Sequence, residues 1–122
     1  MNEERRNKII KDHPLLFPRY RHFECGDGWL DIIERLSDKL ESIMQKQIDK
    51  EDHEIDFLVT SVDQIKEKYG KLRFYITLGS EEMYQSIDEA EKESAKTCEK
   101  CGKPGELIQG NWLSTLCNEC RR

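Results

Sequence analysis

Two Cys-x-x-Cys pairs constrain this chain more than any other feature. Cys98-Glu99-Lys100-Cys101 and Cys117-Asn118-Glu119-Cys120 stand fifteen residues apart. Each pair can bend as a knuckle that aims two thiolates at one point, and two knuckles complete a tetrahedron of sulfur. Zn²⁺ accepts such a set at about 2.3 Å per bond. Gly102 follows the first knuckle, where a tight turn favours a residue without a Cβ. A redox Cys-x-x-Cys needs one motif beside a βαβ pattern, and no such pattern is present. Iron–sulfur ligation and a pair of disulfides are the other rivals. With sulfur at all four positions no place is left for a water, so the ion is expected to be structural. Four thiolates on Zn²⁺ leave a net charge of about -2, which Lys100, Lys103, Arg121 and Arg122 are expected to offset.

The compartment bears on the sulfur chemistry. The opening Met1-Asn2-Glu3-Glu4-Arg5-Arg6 lacks the apolar stretch of a secretory signal, and no apolar run reaches the length of a membrane span. We expect a reducing cytoplasm, where paired cysteines bind metal more often than they form disulfides. Five cysteines suit four ligands and one spare, Cys25.

The polar composition explains why a metal would be recruited. Of 122 residues 37% are charged and 36% hydrophobic, which builds one thin core. The helical signal is strongest over 28–48, where Trp29, Ile32, Ile33, Leu36, Leu40, Ile43 and Met44 recur at spacings of three and four behind a cap at Asp27. Residues 3–11 form a short helix that must stop by Asp12, ahead of His13-Pro14. The stretch Pro14–Pro18 reads as an extended segment on the core. A charged connector over 49–54 leads to Ile55, Phe57 and Val59, whose alternation predicts a strand. Ser61-Val62-Asp63-Gln64 matches a capping box, with Val62, Ile65 and Tyr69 on one face and Gly70 as the stop. This predicts a short helix over 62–69; a hairpin turning at Gly70-Lys71 is the alternative. Leu72, Phe74, Ile76 and Leu78 alternate as a half-buried strand. Ser80 caps a further helix with Met83, Ile87, Ala90 and Ser94 inside, running to about Thr97. Short strands over 106–108 and 112–116, joined at Gln109-Gly110-Asn111, complete a zinc-ribbon or treble-clef-like layout. The expectation is therefore an α+β domain over 1–97, with three to four helices and a small β-sheet. A four-cysteine zinc-ribbon module over 98–122 packs on it.

Beyond the metal ligands, chemistry-bearing residues are sparse. Lys66, Lys68, Lys71 and Arg73 gather around Gly70 with Tyr69 and Tyr75. They are the candidate surface for nucleic acid or an acidic partner, against the alternative of a solvated face. Trp112 and Leu116 either cover the metal core and dock the module, or offer an interface hot spot. The turn Glu24-Cys25-Gly26-Asp27-Gly28-Trp29 places a thiol before a helix start, with His22 as the nearest base in sequence. The alternative is a tight turn with Cys25 buried as a small apolar group. His-Glu-x-x-His, Gly-x-Ser-x-Gly and Walker patterns are missing, so the reading is a protein without enzymatic activity.

Several segments together resemble a family of small, poorly characterised proteins encoded by bacteriophages and prophages. They are Phe23-Glu24-Cys25-Gly26-Asp27-Gly28-Trp29, the run from Gln64 to Tyr75, Ala90-Glu91 with Ser94, Cys98 to Gly105, and Trp112 to Cys120. The resemblance implies a bacterial cytoplasm during infection and a small accessory role: binding a host protein, blocking a defence system or regulating nucleic acid. The net charge of -5 favours a protein partner, since clustered cations mark most phosphate binders and the acidic surface could imitate DNA.

Overall fold

Helix α1 (Glu3–Asp12) starts where Asn2 accepts the Arg5 N–H with its side chain, and its Ile9 and Ile10 enter the core. The computed structural model describes residues 2–19, 22–50, 60–110 and 112–121. Pro14 ends α1, and the chain then turns instead of extending. The Phe17 N–H donates to the His13 carbonyl at 3.0 Å, which drives Leu16 and Phe17 inward. Glu41 accepts the Leu15 and Leu16 N–H groups at 3.0 and 2.9 Å, so the turn is pinned to the next helix.

A 3-10 turn (Asp27–Trp29) leads into α2 (Leu30–Lys50). All seven residues of the apolar stripe from Trp29 to Met44 are buried. Helix α2 packs on α1 and on α3 (Glu81–Ser94). Ser80 caps α3 by accepting the Met83 N–H, and Met83, Ile87, Ala90 and Ser94 face inward as their spacing requires. The strand expected over Ile55–Val59 lies outside the described residues.

Residues 62–69 are not a helix. They belong to β1 (Ser61–Lys68), which pairs antiparallel with β2 (Lys71–Thr77) through the two-residue turn Tyr69-Gly70. Both turn residues have positive φ, 55° and 83°, the geometry that matches the twist of a tight hairpin. The helical reading failed for a local reason. The register shifts between Val62 and Gln64, so Val62 opposes Ile76 while Ile65 opposes Phe74. An extra residue in a strand puts two inward side chains three positions apart, a spacing that imitates one helical face. Tyr69, the third member of that face, sits exposed in the turn.

Both edges of the hairpin are closed. Along β1, the Glu24 N–H donates to Ile65 O at 2.9 Å, Glu67 N–H to Glu24 O at 3.0 Å, and Val62 N–H to Leu16 O at 2.9 Å. Along β2, the Leu72 and Phe74 N–H groups donate to Ser94 Oγ at 2.9 Å and Glu91 Oε2 at 3.1 Å on α3. A second antiparallel pair, β3 (Glu106–Ile108) with β4 (Ser114–Leu116), forms its own sheet. The described residues thus hold three α-helices and two two-stranded sheets in an α+β arrangement. Among them no helix is long and apolar enough to cross a membrane.

Candidate metal centre

The four cysteines converge. One sulfur from each of Cys98, Cys101, Cys117 and Cys120 lies within 4.8 Å of the others, and the Cys101 and Cys117 sulfurs are 3.5 Å apart. A tetrahedral ion with bonds of about 2.3 Å needs sulfur–sulfur edges of about 3.8 Å. The four donors therefore surround one point closely enough to hold a metal ion, and all four are free thiols.

Each knuckle is built by its own backbone. The Cys98 N–H donates to Lys103 O at 2.7 Å and the Gly102 N–H to Cys98 O at 2.9 Å; Gly102 takes the positive φ of 85° expected of it. In the second knuckle the Cys120 N–H points at Cys117 Sγ at 3.4 Å, and the Arg121 N–H closes onto Cys117 O at 3.1 Å. These donors shape the sulfur electrostatics. Burial acts to raise Cys98, but the backbone groups of Cys117, Cys101 and Lys100 outweigh it and bring the thiol down to about 6. The Cys120 N–H likewise lowers Cys117. Hydrogen bonding with Cys117, Cys98 and Cys101 drives Cys120 up to about 12. Four sulfurs this close share few protons unequally, and a divalent ion would displace the remainder. Of the cations expected to offset the thiolates, Lys103 pairs with Glu119 at 3.2 Å and Arg121 with Glu106 at 3.7 Å, so their charge is partly spent on neighbouring carboxylates.

The cluster is tied to the rest of the chain at three places. The first is the Cys25–Trp29 turn, whose role is now plain. Its Gly28 N–H donates to Glu99 O at 2.7 Å and its Gly26 N–H to Glu99 Oε2 at 2.9 Å. A Cβ on Gly28 would stand 2.1 Å from the Cys98 carbonyl oxygen, and one on Gly26 2.5 Å from that of Glu99. The two glycines form a cradle for the first knuckle. The second tie is Trp29, fully buried, whose Nε1–H donates to Thr97 O at 2.9 Å. The third is Thr115, whose buried hydroxyl donates to Gly70 O at 2.5 Å while its own carbonyl accepts the Glu99 N–H at 2.9 Å. Thr115 thus joins the hairpin tip to the knuckle.

Arg6 holds the cradle in shape. It is buried on α1 and donates to the Phe23 and Cys25 carbonyls, each at 2.7 Å, and to Asp27 at 3.0 Å. Nothing in the sequence around Arg6 marks it for this role. Glycines flanking an aspartate before a tryptophan were a visible signal of close approach, but the surface they approach is about 70 residues away, at Cys98 and Glu99. Cys25 is buried, and burial pushes its thiol up to about 12. That opposes a nucleophilic role. His22 instead lines a shallow groove with Glu24, Asp63, Gln64, Tyr75 and Ile76.

The remaining candidates occupy two hairpins. Lys66, Lys68, Lys71, Arg73 and Tyr75 share one face of β1–β2, as their register dictates. Trp112 sits between β3 and β4 with 76% of its surface exposed. It therefore does not cover the sulfur cluster or dock the module; the Gly26 and Gly28 cradle, Trp29 and Thr115 carry the docking contacts. Leu116 is half-buried.

No protein-family model, no curated protein and no solved structure matches this chain.

Proposed function

We propose that this chain is a phage-type accessory protein that acts by contact on a protein of the bacterial host, such as a component of a defence system, within the cytoplasm. A structural Zn²⁺ on Cys98, Cys101, Cys117 and Cys120 organises its C-terminal module. Sulfur at every vertex favours zinc over harder ions and leaves no open coordination position, which supports binding over catalysis.

The observation that carries the reading is Trp112. A large aromatic side chain exposed on a hairpin anchored by a metal cluster has the character of an interface anchor. A second exposed apolar side chain of the same hairpin, Leu107, has its Cδ1 against Gly70 where the two hairpins abut. Affinity capture from bacterial lysate tests the idea when run beside Trp112→Ser. One partner in stoichiometric amount should be retained by the parent chain and lost by the variant, while metal content and melting temperature stay unchanged. Equal recovery by both chains would remove the reading. Elemental analysis of the purified protein should give one zinc per chain; absence of metal with the sulfurs oxidised in pairs would remove the metal assignment.

A further inference from the structure

The outer face of the β1–β2 hairpin carries an arrangement that costs the fold stability. Lys66 stands directly opposite Arg73, and Lys68 directly opposite Lys71. Like charges in facing positions weaken an antiparallel pair. A single glutamate in either pair would remove the repulsion, yet a chain with 25 acidic residues places none in these four positions. Among the described residues Arg73 has a carboxylate partner, Glu91 at 3.5 Å, and none of the three lysines has one. Carboxylates on and beside the hairpin are engaged elsewhere. Glu67, opposite the buried Leu72, accepts the Gly70 N–H at 2.7 Å; Glu24 accepts Gln64 Nε2–H at 3.0 Å; Asp63 accepts the Thr77 hydroxyl at 2.5 Å.

Aromatic rings stand at both ends of this stripe. Tyr75 shares the face of Arg73 and is exposed; Tyr69 occupies the turn, with Lys68 Nζ 5.7 Å from its ring centre. The stripe is narrow. It is two strands wide, about 5 Å between strands, with Glu24 beyond β1 and Glu91 beyond β2. Carboxylate borders on both sides admit one phosphate backbone and repel a second.

We propose that this face binds a single-stranded polynucleotide. Lys66, Lys68, Lys71 and Arg73 neutralise successive phosphates, and Tyr75 and Tyr69 supply surfaces on which bases stack without sequence preference. Rings at both ends favour a polynucleotide, in which every base offers a face for stacking between successive phosphates. The inference stands apart from the Trp112 reading, and either can fail alone.

Fluorescence anisotropy of a labelled oligothymidylate with the zinc-loaded full chain tests it. Binding should appear at low salt and weaken as salt rises. The triple variant Lys66→Gln, Lys68→Gln, Lys71→Gln should bind at least about tenfold more weakly, with a salt slope shallower by about 2, since each lost single-strand phosphate contact removes about 0.7. Its melting temperature should be unchanged or higher, because the facing charges are gone; this separates lost binding from unfolding. Tyr75→Ala should lower affinity and keep the salt slope. The proposal is overturned by no anisotropy change with the parent chain, or by a triple variant that binds as the parent does. Competition by polyglutamate as effective as by unlabelled oligonucleotide would assign the face to an acidic protein instead. A duplex bound as tightly as the single strand, and indifferent to Tyr75→Ala, would also overturn it.

Discussion

Gly28 shows how much can depend on one missing methyl group. Its N–H holds the first knuckle, and its Cα lies where any Cβ would strike the Cys98 carbonyl. Gly28→Ala should cost about 2 kcal/mol or more through overpacking. Because the displaced atoms carry a ligand, it should also lower metal affinity by about tenfold, measurable by competition with a chromophoric chelator. Asp27, beside it, makes a pH-dependent contribution. The Asn2 backbone N–H, with Arg6, holds its carboxyl below the ordinary value. A group depressed in the folded state stabilises above its unfolded pKa, about 4, and loses that effect as pH falls through the folded value. Asp27→Asn should therefore destabilise by about 1 kcal/mol at neutral pH, allowing for its partial exposure, and the gap to the parent should close in denaturant melts below about pH 4. Cys25, buried with its thiol raised, should react with iodoacetamide far more slowly than a free cysteine at about pH 8 until the chain unfolds. At this scale the cluster of four cysteines was legible because the spacing within each knuckle is a local property. Arg6 and Thr115 were not, since their partners are distant in sequence and nothing local marks a buried guanidinium or hydroxyl.

Among the elements, the presence and inner faces of α2 and α3 were legible, because a long amphipathic period survives any tertiary context that buries one face; their ends were not, since Asp27–Trp29 form a 3-10 turn ahead of α2 and α3 stops at Ser94, three residues short of Thr97. Strand β1 was not. Its bulge replaces a period of two by a gap of three, and the serine read as a helix cap is the first residue of a strand. The alternation in β2 and the glycine after Tyr69 carried the better signal, and the turn lies one residue earlier than Gly70-Lys71. The hairpin also makes a prediction opposite to most substitutions. Lys71→Glu should convert a facing repulsion with Lys68 into an attraction and raise stability by about 0.5 kcal/mol, seen as a higher urea midpoint. Gly70→Ala should do the reverse, since its φ of 83° disfavours a side chain and a Cβ would stand 2.5 Å from Leu107 Cδ1.

For the molecule as a whole, the sulfur cluster is a junction. Through Glu99, Thr97 and Thr115 it touches the cradle, the core tryptophan and the hairpin tip. Removing the proposed metal should loosen all three together, because binding energy at such a site is folding energy. The expected reporter is Trp29, not Trp112: one is fully buried and the other already exposed. Chelation should red-shift the emission, and Trp112→Phe should retain the whole shift. An emission change confined to Trp112 would contradict the docking described above. A last consequence concerns crowding. A two-stranded ribbon ordinarily leaves two rows of amide groups open to neighbouring molecules, a template on which copies stack into fibrils. Here a loop occupies one row and a helix's serine and glutamate the other. The β1–β2 hairpin is thereby removed as a template, and cutting back Glu91 and Ser94 together should make the chain seed thioflavin-positive aggregates.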